Sequence, residues 1–112
     1  MSSVDKIRKE LTWVRSQLEQ RLRRIREDAN HRRQPLSADS AERAQEQEND
    51  EVLESLEQST AALLGQYDRA LARLEAGRYG VCESCGDVID ESRIDLMPQA
   101  TQCLDCAEAA PK

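Results

Sequence analysis

The chain has 112 residues, with 16 Lys and Arg against 22 Asp and Glu, a formal net charge of −6, no Phe and one Trp. So few large apolar side chains, with 34% of residues charged, exclude an ordinary globular core, and the negative balance argues against general nucleic-acid binding, which rests on basic surface. The N-terminus lacks a basic-then-apolar signal pattern and the longest apolar run is Ala61–Leu64, so neither export nor a membrane span is expected and the protein is placed in the cytoplasm.

Val4, Ile7, Leu11, Val14, Leu18, Leu22, Ile25 and Ala29 recur at steps of three and four, a heptad-like stripe with one slip near Leu18–Leu22. They predict a long first helix, and Trp13, beside the stripe, is expected to pack, with a partner contact as the alternative. Residues 31–40 form a joint: Pro35 stops the first helix, and Ser37, Asp39 and Ser40 are candidate N-caps for the next. A second stripe follows at Leu53, Leu56, Thr60, Leu63, Tyr67, Ala70 and Leu74, alternating three and four without a break. Two such stripes across a short joint read as an antiparallel coiled-coil hairpin, a domain at 1–77 with its tip at about 34–42 and arms of about 45–55 Å at 1.5 Å per residue. Residues 1–36 carry a net +5 and residues 37–76 a net −7, which favours the fold-back and its register; a merely solvated face is the alternative.

Gly77-Arg-Tyr-Gly80 ends the second helix and opens a second domain at 78–112. There Cys82, Cys85, Cys103 and Cys106, every cysteine of the chain, stand as C-x2-C-x17-C-x2-C. That spacing suits two knuckles that aim four thiolates at one structural Zn2+. Two disulfides are the alternative, disfavoured without an export signal, and iron stays open because thiolates hold it too. The tail after Cys106 is too short for a stable helix. No catalytic set is present: His31 is alone, the serines lack a nearby base, and a closed four-cysteine site leaves no coordination position for a substrate, so no enzyme activity is expected. The fold class is mainly α, a long antiparallel coiled-coil helical hairpin attached to a small four-cysteine zinc-finger head.

Tyr79-Gly-Val-Cys-Glu-Ser-Cys-Gly86, Pro98 and Cys103-Leu-Asp-Cys106 resemble the finger of the DksA/TraR family of bacterial RNA polymerase regulators, whose layout also places a coiled-coil hairpin before the finger. Relative to DksA, the chain is short at both ends. The resemblance implies a transcription regulator, read here as a monomer, that contacts neither DNA nor membrane. Its hairpin would enter the polymerase secondary channel and alter open-complex lifetime. The family's tip motif, Asp-x-x-Asp-x-Ala, falls on Asp39, Glu42 and Ala44, with Glu in place of the central Asp; the plainer role of these acids is to stabilise a helix N-terminus. Positions that supply basic groups to a ppGpp site in DksA fall on Gln66, Met97 and Ala107. None is basic, so the ppGpp site is expected to be lost. A protein-interaction adaptor and a redox- or zinc-responsive switch are the alternative functions.

Overall fold

In the computed structural model, residues 2–32 and 40–109 are described, with side chains at 3–30 and 48–109. Four helices follow in order: α1 (Ser2–Arg32), α2 (Ser40–Glu75), α3 (Glu91–Leu96) and α4 (Leu104–Ala109). The only β pairing among the described residues is an isolated antiparallel bridge between Val81 and Val88. The first helix is described to Arg32 and the second from Ser40; Pro35 and the candidate caps Ser37 and Asp39 lie outside the described residues, as does the side chain of Ser40. The chain divides into two compact units, one of Ser16–Leu64 and one of Met1–Arg15 with Gly65–Lys112.

Within Ser16–Leu64, Leu18, Leu22 and Ile25 of α1 and Thr60 of α2 are buried. Arg26 Nε donates to Glu57 Oε1 at 3.0 Å, pairing a basic α1 with an acidic α2. The stripe expected through Leu56 is corrected here: Leu56 is 47% exposed, while Leu53, Glu57 and Leu64 are half-buried. Strict alternation of three and four averages 3.5 residues per turn and drifts about 20° per heptad against a straight helix. At about 100° per residue Leu53, Glu57, Thr60 and Leu64 fall within about 60° of arc whose centre is about 70° from Leu56, so the buried side lies to one side of Leu56.

Within the other unit, Leu11 is fully buried and is accompanied by Tyr67, Ala70 and Leu74. Arg8 pairs with Glu75 and with Asp5, and Arg15 pairs with Asp68. The two interhelical pairs lie seven residues apart on both helices, which fixes an antiparallel heptad register. Such exposed pairs contribute about 0–1 kcal/mol each, so they select register more than they stabilise. Trp13 does not pack as expected: it is 65% exposed. It lies two positions from Leu11, which on a helix is the opposite side.

The end of α2 is a Schellman motif. Arg78 N–H donates to Arg73 O at 2.8 Å and Gly77 N–H to Leu74 O at 3.1 Å, with Gly77 at φ +74°. A side chain at that φ costs about 1–2 kcal/mol, which is why glycine stands there. Arg73 also reaches forward, its Nη2 donating to Val81 O at 3.0 Å, while its buried Nε has no partner among the described residues. Ile89 N–H bonds Gly80 O, Tyr79 Oη donates to Pro98 O at 2.8 Å, and Ile89, Ala100 and Thr101 form the small interior of the finger.

Candidate metal centre

The first knuckle turns on Gly86, at φ +80°, whose N–H donates to Cys82 O at 3.0 Å. The turn directs the N–H groups of Ser84 and Cys85 at Cys82 Sγ, at 3.4 and 3.5 Å. The second knuckle is drawn to the first by Glu83 N–H to Thr101 O at 2.8 Å, Thr101 Oγ1 to Glu83 Oε1 at 3.0 Å, and Gln102 Nε2 to Ser84 Oγ at 2.8 Å. Arg93 Nε donates to Gln102 O, tying α3 to the same strap. The second knuckle carries α4, with Ala107 N–H on Cys103 O at 2.9 Å. This corrects the reading of the tail as too short for a helix. The six-residue helix begins at Leu104, between the two cysteines, and those anchors replace the nucleation that a free tail would lack.

All four sulfurs lie within 4.8 Å of one another, and Cys85 Sγ and Cys103 Sγ are 3.8 Å apart. A tetrahedron with Zn–S bonds of about 2.3 Å has edges of about 3.8 Å, so the donor set fits zinc. A disulfide needs about 2.05 Å, and all four cysteines are free thiols. Cys82 is buried, Cys103 and Cys106 half-buried and Cys85 exposed. The Cys103 N–H, opposed by burial and joined by the N–H groups of Cys85 and Ser84, holds the Cys82 thiol down to about 6. Cys85 is raised: the Asp87 N–H lowers it, but the Cys82 thiol and burial outweigh that. Cys106 is pushed up by the Cys103, Cys82 and Cys85 sulfurs and by burial. One sulfur is thus ready to ionise while its neighbours resist further negative charge, a resistance that a central cation removes. Four thiolates close a tetrahedral site, giving it a structural rather than catalytic character.

Gln66, Met97 and Ala107 come together, lining one pocket of about 180 Å³. Two guanidiniums that sequence reasoning missed, Arg69 and Arg93, line it as well. Arg69 Nε is 3.7 Å from Glu83 Oε1, and Arg93 Nε is held by the Gln102 carbonyl. Asp39 and the side chains of Glu42 and Ala44 lie outside the described residues. No described helix is long and apolar enough to cross a membrane.

A paired helical arm followed by a four-cysteine finger defines a C4-finger protein with an N-terminal helical domain. The model of the prokaryotic dksA/traR C4-type zinc finger matches residues 77–112, and that of the DnaK suppressor protein-like N-terminal domain matches 7–74. The chain therefore belongs to the DksA/TraR family. Its fold is similar to that of transcription factor DksA2 from Pseudomonas aeruginosa, with a TM-score of 0.79 and 30% identity over 96% of this chain and 82% of that one. It is also similar to the DnaK suppressor protein of Agrobacterium tumefaciens, with a TM-score of 0.63 and 36% identity over 96% of this chain and 93% of that one. Over 46 residues it is 39% identical to the RNA polymerase-binding transcription factor DksA of Caulobacter vibrioides, covering 41% of this chain and 32% of that protein. The chain spans about a third of the length of the curated relatives it matches.

Proposed function

We propose that this protein is a transcription regulator that binds RNA polymerase through the secondary channel, with the arm at 1–77 as the probe and the finger at 78–112 as its head. The observation that carries this is the double family match, finger and helical domain in one chain, alongside a similar protein described as RNA polymerase-binding. One structural Zn2+ on Cys82, Cys85, Cys103 and Cys106 holds the head, and the protein works in the cytoplasm as a monomer without catalysis or direct DNA contact. Asp39 and Glu42 act at the tip beside Ala44, placing negative charge near the polymerase catalytic centre and changing open-complex lifetime.

The protein acts without supporting a ppGpp site. Gln66, Met97 and Ala107 offer no cation, and the two arginines on the same pocket are engaged, Arg69 near Glu83 and Arg93 with the Gln102 carbonyl. A polyphosphate therefore loses the charge-assisted donors that basic residues at those three positions would supply. The test is initiation by purified polymerase from a ribosomal RNA promoter. An effect that Asp39→Asn with Glu42→Gln abolishes supports the tip mechanism; an effect that survives both substitutions refutes it. Strong ppGpp synergy, lost on substitution at Gln66, Met97 and Ala107, would refute ppGpp independence. Absence of polymerase binding removes the proposal and leaves the adaptor reading.

A further inference from the structure

Negative charge is concentrated in the finger. Residues 79–112 hold seven Asp and Glu against Arg93 and Lys112, a net −5 of the −6 carried by the whole chain, whereas residues 1–78 nearly balance at 14 basic and 15 acidic side chains. Four thiolates around one Zn2+ add about two further negative charges. Leu96 of α3 is 85% exposed, and on the same acidic body two further aliphatic side chains stand out in solvent: Val88 is 79% exposed and Leu104 is 53% exposed. They come from different segments, the loop after the first knuckle and the start of α4, yet they line one open pocket of about 260 Å³ together with Asp87, Asp90, Asp105 and Arg93. Arg93 Nε is spent on the Gln102 carbonyl. Asp90 stands at the N-cap of α3 and makes no side-chain cap bond. Among the described residues no ion pair or side-chain hydrogen bond engages the carboxylates of Asp87, Asp90 or Asp105. An apolar centre inside a ring of unused carboxylates is an interface arrangement, with the centre desolvating on contact and the charges selecting a partner of opposite sign.

We propose that the Val88–Leu104 face is a second docking surface, separate from the tip, that takes a basic protein segment presenting an aliphatic side chain flanked by Lys or Arg. The inference rests on the polymerase reading, in that the segment belongs to RNA polymerase. The face anchors the head on the enzyme through apolar contact, and its carboxylates speed and orient the encounter. The neighbouring pocket lined by Gln66 and Met97 shares only Arg93 with this face and plays no part.

The experiment measures the affinity of zinc-loaded full-length protein for purified polymerase across a range of salt concentrations. Val88→Ser with Leu104→Ser is expected to weaken binding by about tenfold or more at every salt concentration, as loss of a central apolar anchor does. Asp87→Asn with Asp90→Asn and Asp105→Asn is expected to weaken binding several-fold at low salt and to flatten the salt dependence. Both variants must retain zinc; should the serine pair lose metal, the asparagine variant alone decides, because it changes no apolar packing. Wild-type affinity in the asparagine variant, with an unchanged salt slope, overturns the docking face while leaving the polymerase reading intact. Failure of the wild-type protein to bind polymerase overturns both. A concentration-dependent dimer of the wild type that disappears in the serine variant overturns the assignment in favour of a second copy of the chain.

Discussion

Leu22→Ala compared with Leu56→Ala tests which side of α2 meets α1, because both residues belong to the Ser16–Leu64 unit and differ mainly in burial. Leu22 is 5% exposed, so removing its three outer carbons forfeits about 2.4 kcal/mol of transfer free energy at about 0.8 kcal/mol per buried carbon. Partial collapse around the site leaves a cavity, and about 40 Å³ of residual void adds about 1 kcal/mol at 24 cal/mol per Å³. The expected loss is about 3 kcal/mol. Leu56 starts roughly half exposed, leaves no enclosed void and gains slightly in helix propensity, so its loss is about 1 kcal/mol or less. Urea unfolding of zinc-loaded protein, followed by helical circular dichroism, reads the difference. With an m-value of about 1.5 kcal/mol per M, Leu22→Ala lowers the midpoint by about 2 M and Leu56→Ala by well under 1 M. Equal losses, or a larger one for Leu56→Ala, would refute the assignment of Leu53 and Glu57 to the inward side and restore the unbroken stripe.

Gly65→Ala is expected to stabilise the protein by about 0.5–1 kcal/mol, since a Cβ there meets nothing within 4 Å and α2 gains a better helix former. Gly77→Ala is expected to destabilise it by about 1–2 kcal/mol through the positive φ; thermal melts that show the same sign for both would contradict the cap geometry. Chelation of zinc, or Cys82→Ser, is expected to unfold residues 79–109 with helix loss confined mainly to α3 and α4, measured by circular dichroism against metal content; an unaltered spectrum on full metal removal refutes a structural role. Burial raises both tyrosines, Tyr67 and Tyr79, above the usual 10.0. Because the folded state favours the neutral phenols, their contribution is complete below pH 10.0 and is lost as pH rises through the raised values. Spectrophotometric titration should therefore show tyrosines ionising later in the native than in the denatured protein. Tyr79→Phe should cost about 1 kcal/mol through the lost bond to Pro98 O, and coincident titrations or an unaffected mutant would argue against that burial.

Large parts of the fold were legible because each rests on a local rule. Leu11, Leu18, Leu22 and Ile25 repeat at helical spacing, and Gly77 marks a cap. The metal cage was equally plain, since each C-x2-C pair is a self-contained knuckle and no other cysteine competes. What escaped depends on geometry accumulated over distance. Leu56 keeps the three-and-four spacing of the stripe yet lies beside the buried arc of Leu53, Glu57, Thr60 and Leu64, so spacing alone does not reveal its exposure. The short helices α3 and α4 have too few residues to show a period, and α4 starts inside the second knuckle rather than from a signal of its own. Arg69 and Arg93 stand on one pocket but come from α2 and α3, so no spacing connects them. Val88 and Leu104 line one pocket for a similar reason, through a bridge and a strap that sequence alone does not pair. Trp13 was read as packing because a large aromatic beside a stripe usually finds cover, and its angular offset from Leu11 decided otherwise.

Arg73 accepts the amide of Arg78 on its carbonyl and clamps the carbonyl of Val81 with its side chain, so one residue fastens the last turn of α2 at two points on the way to Cys82. The amides of Gly77 and Arg78 bond carbonyls of the last turn of α2, and the Arg73 clamp on Val81 joins that turn to the first knuckle. Their exchange with solvent deuterium is expected to quicken on metal removal, as the Arg73 clamp on Val81 is lost, and so to serve as a local gauge of metal occupancy. The gauge is read on the helix rather than at the sulfurs, and it needs no label or reporter residue.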